Sequence, residues 1–390
     1  MPYSVEPHHF LRMPMRFLHT SDWHLGKTLC NASLLDDQAH ALDQVARMVQ
    51  DTGAEALVVA GDVYDRAVPP KEAVALLDQT LDRIVRGLGV PVLLIAGNHD
   101  SPERLGFASG LLGAQNLHVA GLSGPEPEPV VIGRAAFHLL PYGDPAAVRH
   151  ALGTDGIRTH QDALAAQLDR ARSRHPEGHR FVAVAHAFVA GGESSDSELG
   201  LSIGGTGEVD ATLFRACDYA ALGHLHRPQE AGYAHVRYAG SLLKYSASEA
   251  TQVKALTLVE LPDEGAVHTE PLPLTPRRDL RRLRGHFEDL MRGPHGNPDD
   301  YLFLDLLDDG PVLDAMARLR QVYPNILGIQ PAAPLPAAGG EVPDISRREL
   351  DPEVLFRGFF QDIQGRAMDP EESAIFREAA RRAFAPEDRT

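Results

Sequence analysis

The sequence predicts an α/β fold, an open sheet of mainly parallel strands joined by right-handed crossovers. Three observations predict it. Short apolar runs alternate with helical periodicity between Arg16 and Asp100. The runs are as continuous as strands buried on both faces require. Each of the principal runs ends in a cluster of Asp, Asn or His.

The first strand is RFLHTSD, beginning near Arg16. From Asp36 to Gln50, residues Leu42, Val45, Ala46 and Val49 fall on one side of a 3.6-residue repeat, the mark of an amphipathic helix. EALVVAGD follows as a second strand, a helix spans about Glu72 to Arg86, and PVLLIAGNHD is a third strand. This alternation of strand and helix sets parallel order and right-handed connections. Beyond Asn116 the strands shorten, as in PVVIG and AAFHLLPY, and a helix runs from about His160 to His175. RFVAVAHAF and DYAALGHLH are two more apolar strands, each ending at histidine, and HVRYAGS and VKALTLVEL complete the set.

The stretch 276–330 predicts a small α+β unit in the order helix, strand, helix, strand. Read as its first helix, TPRRDLRRLRGHF puts Arg277, Arg281 and Arg284 at i, i+4 and i+7. That basic face suits either DNA phosphates or salt bridges to the acidic remainder. PAAPLPAAGGEVP has the composition of a semi-rigid linker. Two helical patterns follow within 350–385, the first carrying Val354, Leu355, Phe359, Phe360 and Ile363 on one side. Such a face docks on its own domain or enters a partner's groove.

Composition narrows the function. The chain has 390 residues, 43% of them hydrophobic, which excludes disorder and allows one large domain with smaller additions. A net charge of -17 excludes binding nucleic acid by bulk charge alone. Two distant cysteines, Cys30 and Cys217, exclude a disulfide scaffold and fit a reducing cytoplasm. No apolar run is long enough to span a bilayer, and the N-terminus lacks the apolar core of a signal peptide. No G-x-x-x-x-G-K-[ST] motif occurs, so any dependence on ATP must come from a partner.

The polar strand ends are SDWHLG, GDVYD, GNHD, AHAF and GHLH, carrying Asp22, His24, Asp62, Asn98, His99, His186, His224 and His226. Taken singly, each has an ordinary explanation: a hydrogen-bonded histidine, a helix cap, a loop. Taken together they stand at the carboxyl ends of strands, where open α/β sheets bind ligands. Carboxylate, imidazole and amide oxygen without thiolate suit Mn²⁺, Fe²⁺ or Zn²⁺ in an open catalytic site. Seven ligands exceed what one tetrahedral ion uses, which points to a pair sharing a short carboxylate, best supplied by Asp62. His99, next to Asn98, is then free to protonate a leaving oxygen or stabilise phosphate charge. His224 and His226 share one face of an extended strand.

These five motifs resemble those of the calcineurin-like metallophosphoesterases. The longer stretches HTSDWHLGKTL, DYAALGHLHRPQ and YAGSLLKYSASEA resemble the bacterial SbcD nucleases, a branch related to the nuclease subunit of the eukaryotic MRN complex. The resemblance implies a two-sheet αββα sandwich with a small α+β cap domain and C-terminal helices. Together with the sequence pattern it gives the expected domains: a leader over 1–14, a nuclease domain over 15–272, a cap over 273–334, a linker over 335–349 and a helical partner-binding segment over 350–390. One ion would take Asp22, His24 and His226 and the other Asn98, His186 and His224, with Asp62 bridging; Asp65 would orient His99.

Two Mn²⁺ ions, 3′-to-5′ cutting of duplex ends, and cutting of single strands and hairpins are implied as well. The implied partners are DNA, an SbcC-type ABC ATPase bound through Leu355, Phe359 and Phe360, and a second copy of the chain, docked through 71–87 and 102–113. The implied location is cytoplasmic, at the nucleoid. The chain departs from the family at Leu242, where proline is usual, and at Ala247, where an aromatic is common. Two other readings compete: a phosphatase or cyclic-nucleotide phosphodiesterase of the same superfamily, and a silent scaffold for the ATPase.

Overall fold

The apolar runs assemble into two six-stranded sheets. The computed structural model describes residues 14–124, 128–198 and 207–331, with a few more between Phe356 and Arg377. In the first sheet Met15–Thr20, Ala56–Val59, Val92–Ile95 and Leu117–Ala120 lie parallel in chain order. Ala255–Leu261 and His268–Pro273 extend it antiparallel beside Met15–Thr20. In the second sheet Ala135–Leu140, Arg180–His186, Tyr219–Gly223 and Tyr233–Tyr238 run parallel, between antiparallel edges Val130–Ile132 and Gln229–Ala231.

The period of two along each strand decides the layers. Phe17, Val58 and Ile95 of the first sheet meet Phe137, Val184 and Tyr219 of the second in a closed core. The Phe17 ring stands edge-on to Phe137 at 5.1 Å and to Tyr219 at 5.7 Å. The alternate residues Leu18, Leu57 and Leu94 pack outward against helices Leu35–Thr52 and Lys71–Leu81. Helix His160–Ser173 covers the second sheet. The fold is therefore the αββα sandwich. Leu242, the departure from proline, is buried in the cluster beneath the first two helices, and half-buried Ala247 begins a turn that ends at Glu249.

One polar tie crosses the apolar core. His19 receives the Tyr219 hydroxyl at Nδ1 (3.0 Å), and its Nε2–H donates to the Leu222 carbonyl (3.1 Å). Burial, with a smaller push from Arg237, lowers its imidazole from 6.5 to about 3 despite the Leu222 bond. Such a group stabilises the fold fully above the unfolded value, and the contribution fades as pH falls from 6.5 toward 3. Urea melts should show His19 costing about 2 kcal/mol between about pH 6.5 and pH 5. His19→Gln should flatten that part of the slope; an unchanged slope would show that His19 is not its source.

The stretch 280–331 forms a second, smaller layer: Leu280–Gly285, Tyr301–Leu306 and Ile326–Pro331, parallel, with helices Phe287–Met291 and Ala315–Leu319. This corrects the helix expected over TPRRDLRRLRGHF. Leu280–Gly285 pairs residue for residue with Tyr301–Leu306. Neighbouring arginines then point to opposite faces, where Arg281 meets Asp300 and Arg282 meets Asp305, each at 2.6 Å. Arg277, Arg281 and Arg284 share no helical face. The second helix expected in this stretch is short, Ala315–Leu319.

Asp37, buried at the start of helix Leu35–Thr52, ties this layer to the large sandwich. It accepts both arms of Arg278 and the Tyr301 hydroxyl, the last at 3.0 Å. Two compact units result, Met1–Ala332 and Ala333–Thr390. Within the second, the Phe356 and Phe376 rings stack at 4.2 Å. The leader as far as Met13, the linker 335–349, and Leu355, Phe359 and Phe360 lie outside the described residues.

Candidate metal centre

Five strands deliver the site at their carboxyl ends, three from the first sheet and two from the second. The chain turns sharply as it leaves three of these strands. Asp22 (φ 51°), His24 (φ 45°), Asp62 (φ 50°) and His224 (φ 109°) all lie in the left-handed region, which L-residues rarely adopt. Strain of this kind persists only where the surrounding fold over-determines it, and it concentrates at functional sites. Two glycines let the loops close in. A Cβ on Gly97 would stand 2.1 Å from Asp62 Oδ1, and one on Gly223 would stand 1.9 Å from the Ala60 carbonyl.

The donors form two pockets around one carboxylate. In the first, Asp22, His24 and His226 bring ligand atoms within 4.8 Å of one another. His24 Nε2 and His226 Nε2 face each other at 3.1 Å. In the second, Asn98 Oδ1 lies 2.9 Å from His186 Nε2 and 3.2 Å from His224 Nδ1. Asp62 Oδ2 sits between them, 3.6 Å from His24 Nε2 and 3.5 Å from His186 Nε2. All seven side chains expected from the sequence therefore meet at one place.

Hydrogen bonds fix their orientation. His186 Nδ1–H donates to the Ala60 carbonyl (2.9 Å), leaving Nε2 as a lone-pair donor toward the pocket. The His224 amide donates to both Asp22 oxygens, at 3.0 and 3.2 Å, joining the two sheets at the site. Burial holds the His24, His186 and His224 imidazoles below their ordinary range, so they are neutral and able to ligate. Burial, then the charge of Asp62, raises the Asp22 carboxyl.

This donor set fits a pair of divalent cations. Two carboxylates, an amide oxygen and four imidazoles converge, and the two carboxylates crowd together until a cation relieves them. Asp22, His24 and His226 would hold one ion and Asn98, His186 and His224 the other, with Asp62 reaching both.

His99 stands beside this cluster. Its amide donates to Asp62 Oδ1 at 2.9 Å, and its Nε2 lies 3.9 Å from Asp62 Oδ2. The ring is held by Asp65 through its main chain rather than its carboxylate: Nδ1–H donates to the Asp65 carbonyl at 2.9 Å. The Asp65 carboxylate is engaged by Lys27 at 2.7 Å.

Two supporting residues escaped the sequence reading. Asp100 accepts from the Val63, Tyr64 and Gly97 amides, stapling the GDVYD and GNHD loops together. Burial, then the charge of Asp62, raises its carboxyl to about 7. Glu249, fully buried, lies 3.3 Å from His226 Nδ1. The aspartate of GNHD was visible as a motif letter; Glu249 carried no such signal.

Fold and donor set define a class, the metal-dependent phosphoesterases. A family profile described as calcineurin-like phosphoesterase matches residues 15–228, and one described as type 5 capsule protein repressor C-terminal domain matches residues 276–364. The SbcD subunit of nuclease SbcCD from Staphylococcus saprophyticus is 33% identical over 361 residues, covering 92% of this chain and 96% of that protein. Its namesake from Staphylococcus epidermidis is 33% identical over 317 residues, covering 81% and 85%. A solved dimetal phosphatase from Danio rerio is 12% identical with a TM-score of 0.38, covering 68% of this chain and 100% of that one. The chain belongs to the SbcD family of calcineurin-like phosphoesterases.

Proposed function

We propose that the chain is the nuclease subunit of an SbcCD-type complex. It hydrolyses DNA phosphodiesters with two divalent ions, Mn²⁺ foremost. It cuts duplex ends 3′ to 5′, and it cuts single strands and hairpins internally. The partner is an SbcC-type ABC ATPase, and the role is end processing in repair and recombination. The observation that carries this reading is Asp62 Oδ2, held about equally far from a histidine of each pocket. The named relatives supply the substrate class.

When bound, a divalent pair supplies Lewis-acid charge that clamps the attacking and leaving oxygens of a phosphodiester. The chain's own groups do the rest. The two pockets fix the phosphate's position. His99 Nε2, its ring fixed by the Asp65 carbonyl, delivers a proton to the departing sugar oxygen.

The acidic chain meets DNA locally. Arg277, Arg281 and Arg284 are the proposed phosphate contacts. Arg284 is exposed, whereas Arg277 and Arg281 must exchange Asp36 and Asp300 for phosphate. A homodimer uses the helix Lys71–Leu81, its wider continuation Asp82–Gly87, and the short helices Pro102–Leu105 and Ser109–Leu112. Exposed Phe107 and Leu111 support that surface. Leu355, Phe359 and Phe360 are the proposed ATPase contacts. No helix among the described residues is long and apolar enough to cross a membrane. The proposed location, argued from the proposed action on DNA, is the cytoplasm at the nucleoid.

Incubating the purified chain with linear duplex DNA and Mn²⁺, with and without EDTA, tests the reading. Nucleotide release is expected only with the metal and without the chelator. DNA left intact with Mn²⁺, even with the ATPase and ATP supplied, would overturn it. Rapid turnover of p-nitrophenyl phosphate beside inert DNA would favour a phosphatase instead.

A further inference from the structure

Behind His226, on the side away from the metal pockets, lies a buried ionic network that the proposed chemistry does not use. Glu249 is fully buried and Lys254 nearly so, with Lys254 Nζ 2.6 Å from Glu249 Oε2 and 2.7 Å from the His226 carbonyl. The Tyr245 amide also donates to Oε2, at 3.2 Å. Around Oε1 stand the hydroxyls of Ser195 (3.1 Å), Ser246 (3.2 Å) and Ser197. Buried charge is retained in this way when it holds a neighbour in one arrangement. Here the neighbour is His226.

The protons can be placed by counting. His226 Nδ1 has two partners, Ser197 Oγ at 2.7 Å and Glu249 Oε1 at 3.3 Å. Glu249, ion-paired to Lys254, can only accept. Ser197 has one hydroxyl hydrogen and gives it to Glu249. Neither partner has a hydrogen left for Nδ1, so Nδ1 carries the ring proton. Nε2 is therefore the lone-pair atom, and it is the atom turned toward His24. The His226 amide is fixed as well, donating to Glu198 at 2.7 Å.

We infer that Glu249, acting with Ser197, is a positioning residue of the first metal pocket: together they lock His226 in the Nδ1–H tautomer that presents Nε2 to the ion. The inference rests on the two-metal reading above. Partners of this kind behind a metal-bound histidine are typically worth about 10–100-fold in metal affinity.

Mn²⁺ titration of the metal-free chain, followed by calorimetry and electron paramagnetic resonance, tests it beside Glu249→Gln and Ser197→Ala. Wild type should bind two ions. Glu249→Gln should weaken one site by about 10–100-fold and leave the other unchanged. Ser197→Ala should weaken the same site less, because Nδ1–H can still reach Glu249. Nitrogen-15 NMR of the metal-free wild type should show His226 protonated at Nδ1, and Glu249→Gln should mix the tautomers. Two wild-type affinities in both variants would overturn the inference, as would equal weakening of both sites. If Glu249→Gln fails to fold, Ser197→Ala and the wild-type tautomer decide alone, since Ser197→Ala leaves Lys254 paired. A wild type that binds no Mn²⁺ would overturn the metal reading itself.

Discussion

Asp62→Asn should abolish hydrolysis and empty both metal pockets together. Its Oδ2 lies 3.6 Å from His24 Nε2 and 3.5 Å from His186 Nε2, which places its charge to serve both ions at once. The substitution removes one charge and changes little else. Asparagine tolerates the left-handed backbone that Asp62 adopts at φ 50°. An amide oxygen at Oδ1 can still accept the His99 amide now bonded there. Metal stabilisation of the transition state is worth several kcal/mol, so kcat should fall on the order of 10³-fold or more. Mn²⁺ titration separates this variant from its neighbours. Asp62→Asn should weaken both ions, whereas His226→Ala or His224→Ala should impair one and leave the other partly loaded. An Asp62→Asn protein that keeps one ion at wild-type affinity would show that the carboxylate does not bridge.

The site was more legible than its supports, for a physical reason. Strands buried on both faces must be apolar, so a polar residue at their carboxyl end stands out. Five such ends, three from one sheet and two from the other, betray a common target. That logic found Asp22, Asp62, Asn98 and the four histidines, and the structure brings them together. It failed where the partner is distant in sequence. The spacing of Arg277, Arg281 and Arg284 fits a helix, but Leu280–Gly285 is a strand because Tyr301–Leu306 pairs with it and supplies Asp305, with Asp300 just ahead. Local periodicity cannot register a partner about twenty residues away. It failed again where the working atom belongs to the main chain. Asp65 does orient His99, but through its carbonyl, which any residue would possess. Glu249 escaped because only folding sets it against His226.

That distinction bears on His99→Ala, which should lose DNA hydrolysis by about 10²–10⁴-fold while binding both Mn²⁺ ions normally. His99 Nε2 is 3.9 Å from Asp62 Oδ2, and its ring lies edge-on to His24 at 4.7 Å; it borders the pockets, and we propose that it supplies a proton rather than a ligand atom. Its value lies in the proton on Nε2. A departing deoxyribose oxygen is a strong base and leaves poorly without one; a p-nitrophenolate leaves without help. The variant should therefore retain far more activity on bis(p-nitrophenyl) phosphate than on DNA. Asp65→Asn should leave this preference intact, because the carbonyl that holds His99 survives the substitution, and any defect would trace instead to the lost Lys27 pair at 2.7 Å. Equal losses on both substrates in His99→Ala would move the residue from proton donor to phosphate binder. The same drop in Asp65→Asn would mean that the carboxylate, not the carbonyl, sets the ring.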